Sequence, residues 1–218
     1  KIYTILFDLD GAIVHTAPDL MSAHNHVMKK FGHPTKKLGD IKSLAGKGAW
    51  MMMQRSFKKE VTDEKIKKEM TKEFIDFYSK NIANDSKPFE GLFNFLEWAK
   101  SKNISMAVCT NKQERLAIDL LKKLNLYDYF EYIAGSDTFN YNKPDPRHLT
   151  DVVEIIGGDL KKTIMVGDSE VDEMAATNAK LPFVLVADGY TEKTVKQIKH
   201  DALIKDYVGF DKIISKYL

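Results

Sequence analysis

The chain has 218 residues, 44% of them hydrophobic and 29% charged, with 33 basic and 31 acidic residues and a net charge of +2. That length suits one large domain or a core with a smaller insertion, and the balanced charge offers no electrostatic case for nucleic acid or a membrane surface. No stretch approaches the ~20 apolar residues of a bilayer span, the N-terminus enters an apolar run directly without room for a signal peptide, and the lone Cys109 permits no internal disulfide, so a cytoplasmic protein is expected.

The first run, Ile2 to Phe7, has the length and composition of a strand buried on both faces. Asp8, Asp10 and Gly11 follow it, two carboxylates at i and i+2 on one face of a continuing strand. Such a pair is either an Asp-rich surface turn or a site where a cation or a proton relieves the repulsion. Pro18 and Asp19 suit a first helical turn, and Leu20, Ala23, Val27, Met28 and Phe31 keep helical spacing until Gly32. A second helix is predicted over Ala49–Phe57, and a third from near Thr62 with Ile66, Met70, Phe74, Phe77 and Tyr78 on one face. Nothing from about 16 to 87 reads as a strand. Lys58-Lys59 and Lys67-Lys68 are taken as solvated helix faces.

From Pro88 helices and strands alternate. Leu92 to Ala99 is helical, Ile104–Thr110 a strand, Leu116 to Leu124 a helix ended by Asn125, and Tyr132–Ala134 a short strand. Leu149 to Ile156 is helical up to Gly157-Gly158, Thr163–Val166 a strand, Val171–Ala179 a helix and Phe183–Val186 a strand. A short strand at Ala202–Ile204 and a helix around Ile213 and Tyr217 end the chain. The pattern predicts an α/β fold: a doubly wound, Rossmann-like parallel sheet with helices on both faces. The all-helical block interrupts it after the first strand. The expected division is a catalytic core of 1–15 and 88–218 with an inserted helical cap domain of 16–87.

Ligands of open parallel sheets sit beyond the carboxyl ends of the strands. There the chain places Asp8 and Asp10, then Thr110-Asn111, then Lys143-Pro144-Asp145-Pro146, then Gly167-Asp168-Ser169 with Asp172 four residues on. Carboxylates, one lysine and a hydroxyl suit a phosphate held on Mg²⁺, with Lys143 and Thr110 on the remaining phosphate oxygens. A carboxylate can also act as the nucleophile. Cys109, among apolar neighbours, is a buried thiol rather than a nucleophile. His24 and His26 lie on different helix faces and form no metal pair.

These four stretches, in this order, resemble the motifs of the haloacid dehalogenase superfamily, which carries a helical cap where this chain has its helical block. Ala17-Pro18-Asp19-Leu20, Gly46-Lys47-Gly48-Ala49, Arg55 and Thr110 to Ala117 resemble its phosphoglycolate phosphatase branch. The resemblance implies a Mg²⁺-dependent phosphatase for small phosphomonoesters, 2-phosphoglycolate foremost. It implies that Asp8 attacks phosphorus and that Asp10 protonates the leaving oxygen, then activates the hydrolytic water. Asp8, the backbone carbonyl of Asp10 and Asp168 would hold the ion. Thr110, the Asn111 N–H and Lys143 would cradle the phosphoryl group, and Asp172 would orient Lys143 or a water. Lys47 is either a substrate contact or a solvated lysine in a turn, and Arg55 either a carboxylate clamp or a surface helix residue. The expected partner is a small phosphate ester, and the protein is expected to be a monomer or a homodimer. A β-phosphoglucomutase-like phosphomutase and a phosphonoacetaldehyde hydrolase-like enzyme using Lys47 are the alternatives. Two positions depart from the family: Ala12, where Thr is usual, and His15, where Asp is common.

Overall fold

The computed structural model of the chain describes residues 3–57 and 63–218. The Ile2 start of the first run, the Lys58-Lys59 pair and the Thr62 start of the third helix lie outside the described residues. A six-stranded parallel sheet runs through the molecule in the order β5-β4-β1-β6-β7-β8. Its strands are β1 (Thr4–Phe7), β4 (Ser105–Cys109), β5 (Tyr132–Ala134), β6 (Thr163–Gly167), β7 (Phe183–Val186) and β8 (Ala202–Ile204). Alternation along the strands splits the core in two, because a pleated strand sends successive side chains to opposite faces. Ile5 and Phe7, Met106 and Val108, Ile164 and Val166, and Val184 and Val186 pack on one face. Leu6, Ala107, Cys109, Met165, Phe183 and Leu185 pack on the other. The first face is covered by α5 (Leu92–Ser101), α6 (Glu114–Lys123) and α9 (Phe210–Ile214). The second is covered by α7 (Arg147–Ile155) and α8 (Glu170–Asn178). Burial on both sides explains why these strands read as largely apolar runs rather than alternating ones.

Between the first and second sheet strands in sequence lie α1 (Ala17–Lys30), α2 (Ile41–Leu44), α3 (Ala49–Phe57) and α4 (Glu64–Lys80). Helix α1 packs on α4, and α3 packs on both α2 and α4, with Met28, Met53, Met70, Phe74 and Tyr78 almost fully buried. Asp63 starts α4 by accepting from the Lys65 N–H at 2.8 Å, the usual satisfaction of a free first-turn donor. The chain leaves and re-enters the sheet region through a ribbon that the sequence pattern does not reveal. There β2 (Val14–His15) pairs antiparallel with β3 (Lys87–Pro88). Asp19 fastens this crossing, accepting from the backbone N–H of Ser86 at 2.8 Å and its hydroxyl at 2.6 Å. His15 stacks on Phe89 with ring centroids 3.7 Å apart, and the buried Ala12 lends its carbonyl to the Tyr207 hydroxyl at 2.8 Å. Among the described residues, no helix is long and apolar enough to cross a membrane.

Candidate active site

Strands β1 and β6 lie side by side, so their C-terminal loops meet. Asp8 continues β1, donating its N–H to the Val166 carbonyl at 2.9 Å. The chain then turns at Gly11, whose φ of +75° disfavours other residues. A Cβ at this glycine would also lie 2.5 Å from Oδ2 of Asp168, so the turn and the close approach of the two loops both depend on its absence. Asp168 is fixed from a third loop, accepting the Tyr190 N–H at 2.7 Å. The hydroxyl of Tyr190 in turn accepts from the Ala17 N–H at 2.9 Å. One side chain thus ties the start of the helical segment to the carboxylate cluster.

Lys143 is the hub. Its Nζ donates to Asp8 Oδ1 at 2.8 Å and to Asp172 Oδ1 at 2.6 Å, with all three groups buried. Asp172 uses its other oxygen to accept the N–H groups of Asp168 at 2.9 Å and Ser169 at 3.3 Å, capping the start of α8. Burial works against the Lys143 charge, but Asp172 and Asp8 outweigh it and raise the lysine above its ordinary range, so it stays an ammonium. Behind it, His148 in α7 accepts the Lys143 N–H at Nδ1, 3.2 Å away, and its Nε2 lies 3.3 Å from the Ala134 carbonyl. Burial and then the Lys143 charge lower His148 to about 4. A neutral ring with the proton on Nε2 satisfies both contacts.

Asp8, Asp168 and Asp172 each offer a carboxylate oxygen within 4.8 Å of the others. Burial, then the Asp172 charge, raise Asp8 to about 6. Burial and the charges of Asp8 and Asp172 raise Asp168 well above the usual carboxylate range. Buried oxygens that resist sharing their charge, with a single ammonium between them, fit a hard divalent cation. Asp172 already spends both oxygens on Lys143 and the α8 cap, which leaves Asp8 and Asp168 as the side chains best placed for an ion. The side chain of Asp10 is engaged elsewhere, by Lys112 at 2.5 Å, so its share in an ion would fall to its backbone carbonyl.

Thr110 directly follows β4, fully buried, with its N–H on the Ala134 carbonyl at 2.9 Å. Asn111 joins three parts of the molecule: its Nδ2 donates to the Lys143 carbonyl at 3.0 Å and to the Gly46 carbonyl at 3.2 Å. Asp8, Asp10, Thr110 and Asn111 form the sheet side of a cavity of about 330 Å³. The helical segment closes the other side with Leu20, Trp50, Met51, Met52, Phe74, Ile75 and Tyr78, and Lys47 lines the rim. Along α3, Met53 is core, Met52 is buried core that also lines the cavity, and Trp50 and Met51 line it half-buried. Arg55 is not brought to the cavity. Its Nη1 donates to the Ser43 and Ala45 carbonyls, 3.4 Å from each, so the fork is turned toward the orphan carbonyls ending α2. Of the two alternatives for Arg55, this arrangement favours the helix residue over the carboxylate clamp. Sequence reasoning missed Lys112, Tyr190 and His148 as members of the site; the Thr110–Lys112 stretch was the one signal available for the first of them.

A model of the family described as haloacid dehalogenase-like hydrolase matches residues 5–186. The chain is 38% identical to a phosphoglycolate phosphatase of Agrobacterium fabrum, covering 97% of this chain and 94% of that one. It is 36% identical to a phosphoglycolate phosphatase of Caulobacter vibrioides, covering 96% and 89% respectively. A crystal structure described as a predicted phosphoglycolate phosphatase from Haemophilus somnus matches with a TM-score of 0.92 at 28% identity, covering 98% of each chain.

Proposed function

The chain belongs to the haloacid dehalogenase-like hydrolases and is a phosphoric monoester hydrolase, and from that premise we propose that it hydrolyses small phosphomonoesters through an aspartyl-phosphate on Asp8, with 2-phosphoglycolate the favoured substrate. The observation that carries this reading is the Lys143 ammonium bridging Asp8 and Asp172 with Asp168 alongside, all at the carboxyl end of the sheet. The division into a core of 1–15 and 88–218 and a cap of 16–87 belongs to the same proposal, the cap forming the largely apolar roof of the cavity.

Asp8 and Asp168, with the Asp10 backbone carbonyl, would hold Mg²⁺, which supplies positive charge to the phosphoryl oxygens when bound. An Asp8 carboxylate oxygen attacks phosphorus as the bond to the leaving oxygen breaks, and Asp10, entering this step as the neutral acid, gives that oxygen its proton and becomes a carboxylate. Asp10 then takes a proton from the water that attacks phosphorus and frees Asp8. Lys143, Thr110 and the Asn111 N–H stabilise the equatorial oxygens; positioning and charge matter most in phosphoryl transfer. The test is phosphate release from 2-phosphoglycolate with Mg²⁺ by the wild type and its loss in Asp8→Asn. Hexose phosphate isomerisation without phosphate release would overturn the reading.

A further inference from the structure

Lys112 is a buried cation outside the set of groups assigned to phosphate and ion. It sits in the loop between β4 and α6, and its backbone is pinned from two sides. Its N–H donates to the Thr110 hydroxyl at 3.1 Å, and its carbonyl accepts the Ser136 N–H at 2.8 Å. A Cβ on the neighbouring Gly135 would come within 2.6 Å of that carbonyl, so the loop is packed against β5 as closely as the backbone allows. From this fixed base Nζ reaches Asp10 Oδ1 at 2.5 Å and the Tyr78 hydroxyl at 2.6 Å. It also lies 4.8 Å from the centre of the Tyr78 ring. The Lys112 side chain is 6% exposed and that of Asp10 is 16%.

A buried ammonium is tolerated only where its donors are taken up. Here one goes to the acid of the sheet side and another to a hydroxyl on α4, across the cavity. Three rotatable N–H groups then hold a direction only while both partners are present. We propose that Lys112 is a positioning residue that aims the Asp10 carboxyl group and steadies the carboxylate formed once its proton has passed to the leaving oxygen, and that Tyr78 holds Lys112 in that pose while α4 lies over the sheet. Asp10 is thereby oriented by the helical segment through one intermediate cation. This inference rests on the acid–base role proposed for Asp10. General acid help matters most for poor leaving groups, and misplacing a catalytic group by about 1 Å can lower a rate about 100-fold.

The test compares kcat/KM, which reports steps up to departure of the leaving group, for ethyl phosphate, 2-phosphoglycolate and p-nitrophenyl phosphate. With wild type active, Lys112→Met is expected to lower the value about 100-fold on both alkyl esters and less than about fivefold on the aryl ester. Tyr78→Phe, which keeps the ring and hence the packing, is expected to lower the alkyl values about tenfold. The double variant is expected to be no worse than Lys112→Met alone, because both act on one element. Equal losses on all three esters, loss on 2-phosphoglycolate alone, or additive effects would each overturn the proposal. An active wild type and a dead Asp10→Asn beside an unimpaired Lys112→Met would remove this inference and leave the phosphatase reading standing. A wild type inactive on every ester would remove both.

Discussion

On the sheet side of the cavity, each of the four carboxylates is held by a group from a distant loop: Asp8 and Asp172 by Lys143, Asp168 by Tyr190 and Asp10 by Lys112. The helical side instead presents thioethers and aromatic rings, with Met51 and Trp50 only half-buried. The first wall has many directional contacts and little freedom. The second has adaptable side chains that shape space without fixing it. Reaction chemistry is therefore expected to sit on the first, steadied from the second by the Tyr78 hydroxyl, and choice among esters on the rest of the second, so changes to the two walls should differ in kind as well as size.

The largest effect is expected from Asp8→Asn, which removes the proposed nucleophile and should lower kcat by about 10⁴-fold or more, read as phosphate release under saturating ester. Lys143→Met comes next. It leaves Asp8 and Asp172 without their shared cation and should destabilise the fold by about 3–5 kcal/mol in a urea titration, besides lowering activity. A pH effect follows from His148, whose ring is held neutral with its value lowered from 6.5 to about 4. The unfolded chain binds that proton and the folded one does not, so stability is full above pH 6.5 and falls as pH drops toward 4. The loss is on the order of 3 kcal/mol, and His148→Gln should flatten that part of the urea-midpoint profile. On the opposite wall, Met51→Ala should change KM for esters with an apolar body by about tenfold while leaving kcat within about twofold. The smallest effect is expected from Arg55→Ala. Because its fork is spent on carbonyls, KM should shift by less than about twofold for carboxylated and aryl esters alike; a selective rise for carboxylated esters would give the residue back its clamp.

The two walls also differ in how far the sequence exposes them. Asp8, Thr110 and Asp168 each follow a largely apolar run, and burial on both faces of the sheet makes those runs easy to see. Their meeting follows from parallel topology alone. Tyr78 is less visible, since it shares helical spacing with Met70 and Phe74 and looks like one more core residue, although its hydroxyl serves the cavity. Tyr190 lies in a loop without periodicity, and its importance comes from β7 standing beside β6. The β2–β3 ribbon has two residues per strand and contains Pro88, too short for any alternation to register. The two alternatives for Arg55 could not be separated from the sequence because its partners are backbone carbonyls at the end of a four-residue helix, which side-chain patterns do not announce.

The most direct measurement is chemical trapping of the acyl phosphate. Enzyme mixed with 2-phosphoglycolate and Mg²⁺ is quenched within one turnover, reduced with borohydride and mapped by peptide mass spectrometry. Conversion of residue 8 to homoserine, dependent on substrate and lost in Asp8→Asn, is the predicted result. Full turnover with residue 8 unmodified, or reduction at another carboxylate, would contradict it.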